Sequence, residues 1–319
     1  MILHVEDLTK HFVTGGAIER LFRRTSIVRA VDGVSFGLEK GKTLGIVGES
    51  GCGKTSLART VARLYRPTGG RIVFDGRDIT KLGEAEFRPM RRDIQMIFQD
   101  PLASLNPRRT IGDIVEKPLR VHRIDGNGRE RVDEVLRAVG LDPRRHRDRY
   151  PYQLSGGQAQ RVAIARALIL DPALIIADEP VSSLDVSVQA QIINLLQRLQ
   201  EQLGLSYLFI SHDLSVVRHL TDHVMVMYLG KAVEFAPTER LFHEPLHPYT
   251  EALLKAVPRI HGRQEPIRLR GQPSSALHPP DGCAFHPRCQ MKIGEICEAR
   301  EPRLIEARSE HFVACHLHG

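Results

Sequence analysis

The sequence predicts an α/β domain, with a mixed sheet and a helical insertion, followed by a small loop-rich region. Three observations predict it. Up to about residue 235, short apolar runs alternate with longer periodic stretches. One such run leads through a glycine-rich loop into a helix-like stretch. From Ala236 to Gly319, about a quarter of the length, the chain holds 8 of its 15 His, 4 of its 5 Cys and 10 of its 19 Pro. So many prolines break regular elements. The boundary is expected near Phe235–Glu239, giving regions 1–235 and 236–319.

Apolar runs of strand length predict strands at Thr43–Val47, Ile94–Phe98, Leu174–Ala177, Tyr207–Ile210 and Val224–Tyr228. Helices are expected at Lys54–Leu64, Gly128–Val139, Gly157–Leu170 and Val186–Leu203. The second of these has Val132, Val135, Leu136 and Val139 at i, i+3, i+4 and i+7, so one face should be buried. Residues 100–150 read as a mostly helical insertion, and 151–170 as the helix region that follows it.

Of 319 residues, 42% are hydrophobic and 26% charged, which excludes a disordered, collagen-like or disulfide-scaffold chain. No apolar run approaches the roughly 18 residues of a membrane helix. The first residues lack the basic-then-apolar order of a signal peptide, so a cytosolic chain is expected. Net charge is +7, but the densest basic cluster, Arg144, Arg145, Arg147 and Arg149, is interrupted by Asp148 and carries no interleaved aromatic residue. No nucleic-acid partner is expected.

Gly48-Glu49-Ser50-Gly51-Cys52-Gly53-Lys54-Thr55, continued by Ser56, fits the phosphate-loop pattern G-x-x-x-x-G-K-[ST] between a strand and a helix. Glycines let backbone N–H groups face phosphate oxygens, and the helix N-terminus adds positive potential. Lys54 would reach the β- and γ-phosphates, and the Thr55 hydroxyl would bind Mg²⁺. Leu174-Ile175-Ile176-Ala177-Asp178-Glu179 is an apolar strand ending in two acids, at the strand end where ligands of open α/β sheets sit. Asp178 would hold Mg²⁺ through water, and Glu179 would orient and deprotonate an attacking water.

Leu154-Ser155-Gly156-Gly157-Gln158 stands just before a helix, where Ser155 and Gly157 make a second anion site at a helix N-terminus. Here the chain closely resembles the ATP-binding-cassette ATPases, whose signature is LSGGQ, over essentially its whole length. Gln99 in Phe98-Gln99-Asp100-Pro101, the loop Ser182-Ser183-Leu184-Asp185 and Ser211-His212-Asp213 complete six motifs in the family's order. No guanine-reading N-K-x-D occurs. The resemblance implies a phosphate-loop NTPase cassette whose signature Ser155, Gly156, Gly157 and Gln158 closes over ATP held by a second subunit. It implies that His212 contacts the γ-phosphate, that Gln99 touches Mg²⁺ and water and reports to a membrane partner, that Asp185 couples the two sites, and that Phe12 stacks on adenine. Ala159 departs from the basic residue many cassettes have there.

Phe98–Arg108, Ser183–Gln191 and His247-Pro248-Tyr249-Thr250 look like the oligopeptide and dipeptide importer ATPases. That resemblance implies a second ATPase subunit, with a heterodimer favoured over a homodimer, two permeases and an extracytoplasmic solute-binding protein. The chain would then sit peripherally on the cytoplasmic face of the inner membrane. Nickel importers share the marks, so the cargo stays open. Cys283, Cys289, Cys297 and Cys315 are separated by 5, 7 and 17 residues, which is not zinc-ribbon spacing. A cytosolic setting argues for a metal or free thiols over disulfides. The importer extension is associated with a [4Fe–4S] cluster; zinc and unliganded thiols are the alternatives. Two rivals of other classes are a non-transport cassette, which would carry coiled-coil insertions or two cassettes, and a metal or redox sensor, which leaves the complete catalytic set unexplained.

Overall fold

In the computed structural model, which describes residues 1–14, 26–256 and 275–319, every strand expected from an apolar run forms. The first strands are β1 Leu3–Thr14, β2 Ser26–Leu38 and β3 Thr43–Val47; helix α1 Lys54–Val61 follows, then β4 Gly69–Phe74 and β5 Arg77–Asp78. Strand β6 Ile94–Ile97 leads into α2 Ile111–His122, α3 Gly128–Ala138 and α4 Gly156–Leu168. Next come β7 Leu174–Asp178, α5 Val186–Leu203, β8 Ser206–Ile210 and α6 Leu214–Leu220. After β9 His223–Tyr228 and β10 Lys231–Pro237 stand α7 Pro248–Ala256, β11 Ile305–Arg308 and β12 His311–Val313.

These elements gather into two units, one of residues 1–2, 38–43 and 81–210, the other of 3–37, 44–80 and 211–319. In the first, β6, β7 and β8 pair in parallel, with Ile94 opposite Leu174 and Leu174 opposite Ser206. Strands β7 and β8 are buried along their whole length, as parallel strands covered on both faces must be. The predicted stripe of α3 is buried at Val132, Val135, Leu136 and Val139. Thr110 and Asn127 cap α2 and α3, each accepting from a backbone N–H three residues on, Asp113 and Glu130.

In the second unit, one sheet has the order β2-β1-β4-β5. Elsewhere in it β3 pairs in parallel with β9, and β9, β10, β12 and β11 follow as antiparallel neighbours. The C-terminal strands therefore extend a sheet that begins beside the phosphate-loop strand. Buried Glu234 on β10 knits them together. It accepts from the backbone N–H groups of Leu246 (2.7 Å) and His247 (3.0 Å), and His311 Nε2 of β12 lies 2.7 Å from it. Burial pulls the neighbouring His247 imidazole down to about 4. It is therefore neutral, and its Nδ1 accepts from Tyr249 N–H.

Several boundaries differ from expectation by one to three residues, two of them for evident local reasons. Helix α1 stops at Val61 rather than Leu64, and Arg63 turns into the left-handed region at φ 55°. Helix α4 starts one residue early, at Gly156, because Ser155 is its cap.

Candidate functional site

Strand β3 delivers Gly48 at its end, and the chain then wraps into α1 through three glycines with positive φ: Gly48, Gly51 and Gly53. At two of them nothing larger fits. A Cβ on Gly53 would stand 2.0 Å from the Ala30 carbonyl oxygen, and one on Gly48 would stand 2.3 Å from that of Met227. Both glycines are thus pressed against the backbone of a neighbouring strand, β2 and β9 respectively, as well as having positive φ. The Lys54 side chain is buried and folds back over the loop, donating to the carbonyls of Gly48 (2.6 Å) and Glu49 (3.0 Å). Helix α1 has no acid in its first turn, so the positive end of its dipole is uncompensated. Thr55 and Ser56 open that helix, half-buried. Buried Cys52 is a filler here, its thiol pushed up by burial and so poorly nucleophilic.

In the other unit β7 ends in buried Asp178, and the chain turns sharply at Glu179. Glu179 has φ 48°, a left-handed value that a side chain rarely takes, while its N–H donates to the Ile210 carbonyl. Strain of this kind, about 1–3 kcal/mol, persists where the surroundings dictate it. The turn brings two expected residues together: Gln99 Nε2, just past β6, donates to Glu179 Oε2 at 3.0 Å.

Ser155 caps α4, its hydroxyl accepting from Gln158 N–H at 3.3 Å, while Gln158 Oε1 accepts from Ser155 N–H at 3.1 Å. Ser155 and Gly156 are exposed, and the thirteen-residue helix behind them has no acid in its first turn. The pair therefore presents free positive helix-end potential to solvent, as an anion site needs. Asp185 is likewise exposed, at the cap of α5, and its neighbour Val186 leaves 82% of its surface uncovered. His212 is exposed just before α6.

Phe12 lies half-buried on β1, edge-on to Tyr65 at 5.4 Å and under Lys10 Nζ at 4.8 Å. Tyr65 escaped the sequence reading because nothing in its local pattern marks it as a ring neighbour of residue 12.

Thr55, Gln99 and Asp178 supply oxygen donors of the kind Mg²⁺ takes. The late cysteines partly converge. Cys283 N–H donates to the Cys297 carbonyl at 2.9 Å, and Cys283 lies within electrostatic range of Cys289, Cys297 and Cys315. Burial first, and those neighbours second, push the Cys283 thiol up to about 11; burial also raises Cys289 and Cys315. A metal would have to displace their protons in order to bind them. Yet among the described residues no three His, Cys, Asp or Glu side chains come close enough to hold a metal ion, so the expected cluster or zinc finds no support in this geometry. Among the same residues no helix is long and apolar enough to cross a membrane.

Two family models match the chain: ABC transporter over residues 31–182, and the C-terminal region of oligopeptide/dipeptide transporters over 233–297. The oligopeptide transport ATP-binding protein AppF of Bacillus subtilis is 53% identical across 100% of this chain and 98% of its own. The dipeptide transport ATP-binding protein DppF of Escherichia coli is 48% identical over 98% and 93%. Among solved structures, the dimeric post-hydrolysis state of the ATP-binding cassette MJ0796, bound to ADP and Pi, matches 74% of this chain and 99% of that one. Its TM-score is 0.66 at 30% identity.

Proposed function

We propose, for a chain that belongs to the ABC transporter family, the role of the ATP-hydrolysing subunit in a membrane importer of di- and oligopeptides. The observation that carries it is the 53% identity to a peptide-transport ATP-binding protein along the whole chain, extension included. The chain is an ATPase, and ATP with Mg²⁺ is its natural ligand. Residues 1–235 form the nucleotide-binding region and 236–319 the importer extension.

Backbone N–H groups of Gly48–Ser56 other than that of Glu49, which bonds Tyr249, take the phosphates together with Lys54, while Phe12 supports the adenine ring. Thr55, Gln99 and Asp178 would hold Mg²⁺, which neutralises phosphate charge when bound. Glu179 draws the proton from the attacking water, oriented by its hydrogen bond from Gln99, and His212 steadies the γ-phosphate. Ser155 to Gln158 close over ATP on a second ATPase subunit, a distinct chain rather than a copy, and Asp185 couples the two sites. Two permeases and an extracytoplasmic solute-binding protein complete the complex, which places the chain on the cytoplasmic face of the inner membrane.

In the assembled complex in lipid, peptide-loaded binding protein should raise ATP turnover several-fold, whereas nickel should leave it unchanged. A response to nickel alone would move the cargo to metal.

Cys283, Cys289, Cys297 and Cys315 would hold a [4Fe–4S] cluster, a four-thiolate site of the usual kind. Purified without oxygen, the chain should then show broad visible absorption, with about four iron and four sulfide per chain. About one zinc per chain would make the region a structural knot. No metal would leave four free thiols, with the ATPase role untouched.

A further inference from the structure

We propose that Arg288, which lies between Cys283 and Cys289 in sequence and in the same turn, is a positioning residue for the phosphate loop. By pairing with the Glu49 carboxylate it keeps that loop receptive to phosphate. The inference rests on the reading of Gly48–Ser56 as the ATP phosphate site.

Residue 49 is held at both ends by the C-terminal region. Its carboxylate takes a fork from Arg288, Nη1 to Oε2 at 2.6 Å and Nη2 to Oε1 at 2.9 Å. Its backbone N–H donates to the Tyr249 hydroxyl at 2.8 Å. Arg288 is 6% exposed and Tyr249 fully buried. Around them stands an aromatic cluster: the Tyr228 hydroxyl reaches Arg288 Nη1 at 3.4 Å, and Phe285 packs edge-on to Tyr228 at 5.3 Å and against Tyr249 at the same distance. Among the described residues the guanidinium Nε finds no hydrogen-bond partner, and the Nη groups bond Glu49 and Tyr228.

A carboxylate in a loop that must receive a polyanion is electrostatically adverse unless something discharges it. Bidentate Arg–carboxylate pairing does that and also fixes the direction of the side chain. Removing one partner of such a pair leaves an uncompensated charge, which is the costly case. Here the uncompensated charge would be Glu49, in the phosphate loop itself. A single tight turn links the arginine to the thiols, with His286 N–H on the Cys283 carbonyl (2.9 Å) and Cys289 N–H on that of His286 (3.3 Å). The state of those thiols is thereby mechanically next to the loop.

The test is ATP binding to the full chain by calorimetry, for wild type, Arg288→Gln, Glu49→Gln, the double variant and Arg288→Lys, each with its melting temperature. Arg288→Gln should weaken ATP at least tenfold. Adding Glu49→Gln to it should recover at least fivefold, since the stranded charge is gone. Arg288→Lys keeps the charge but not the fork and should fall between. Wild-type affinity in folded Arg288→Gln would overturn the proposal, as would a loss that Glu49→Gln does not relieve, because a plain staple would behave so. Should Arg288→Gln fail to fold, wild-type affinity in folded Arg288→Lys overturns it. A wild-type chain that does not bind ATP would instead sink the underlying reading.

Discussion

Glu179→Gln should bind ATP within about threefold of wild type, hydrolyse it at least a hundredfold more slowly, and accumulate as a nucleotide-bound dimer. The substitution keeps the shape of the side chain and its capacity to accept from Gln99 Nε2, the contact seen at 3.0 Å. It also leaves the left-handed turn at φ 48° and the N–H bond to Ile210 as they are. What it removes is the basic oxygen, and a positioned general base is worth about 10²–10⁴ in rate. Binding should survive because, on the proposed reading, Gly48–Ser56 hold the phosphates and Glu179 does not. The dimer should build up if closure needs bound ATP and reopening needs its cleavage, as the proposed function has it. Single-turnover hydrolysis and size-exclusion with ATP measure both halves, and full turnover would remove Glu179 from the role of base.

Ser155→Arg should leave ATP binding to the isolated chain intact while reducing hydrolysis at least a hundredfold. Ser155 is exposed at the start of α4; its hydroxyl and N–H bond Gln158, and its carbonyl accepts from Ala159 N–H, all within its own helix. Replacing it costs one cap, about 0.5–2 kcal/mol, which a domain of this size tolerates. The bulky side chain then blocks the face that would close on the other subunit's γ-phosphate. Loss of a preorganised donor at such a site is worth about 10²–10³ in rate. Equilibrium nucleotide binding beside steady-state turnover distinguishes the cases. If binding fell together with turnover in a folded variant, the site would be complete within one chain and the trans-subunit closure would be wrong.

Much of the site could be read locally because each motif sits where an element begins or ends. The phosphate loop joins β3 to α1, the two acids end β7, and Ser155 caps α4. Such junctions leave marks within a few residues: an apolar run, a glycine, a capping side chain. Strands β1 and β2 left no such mark. Their burial alternates with exposed and half-buried positions, and charged residues such as Glu6, Lys10 and Arg29 interrupt them. They form because partners across the sheet, such as β4 for β1, supply their hydrogen bonds. The left-handed turn at Glu179 was likewise invisible, since it is dictated by the loop around it. Arg288 and Glu49 lie 239 residues apart, and no spacing rule spans that distance. The prolines did announce loops in the last region; the composition was silent on the buried Glu234, which ties α7 and β12 to β10.

That knot of Glu234 bears on how this part of the chain comes apart. With β12 paired to β10, and Tyr249 and Arg288 both anchored on residue 49, the last region shares its hydrogen bonds with the phosphate loop. It should therefore open with that loop as one cooperative block rather than fray as a separate tail. A ligand that binds only the intact block shifts the opening equilibrium of everything in it by mass action. Saturating ATP would thus slow amide exchange at Cys283 and Cys297, residues outside the phosphate loop.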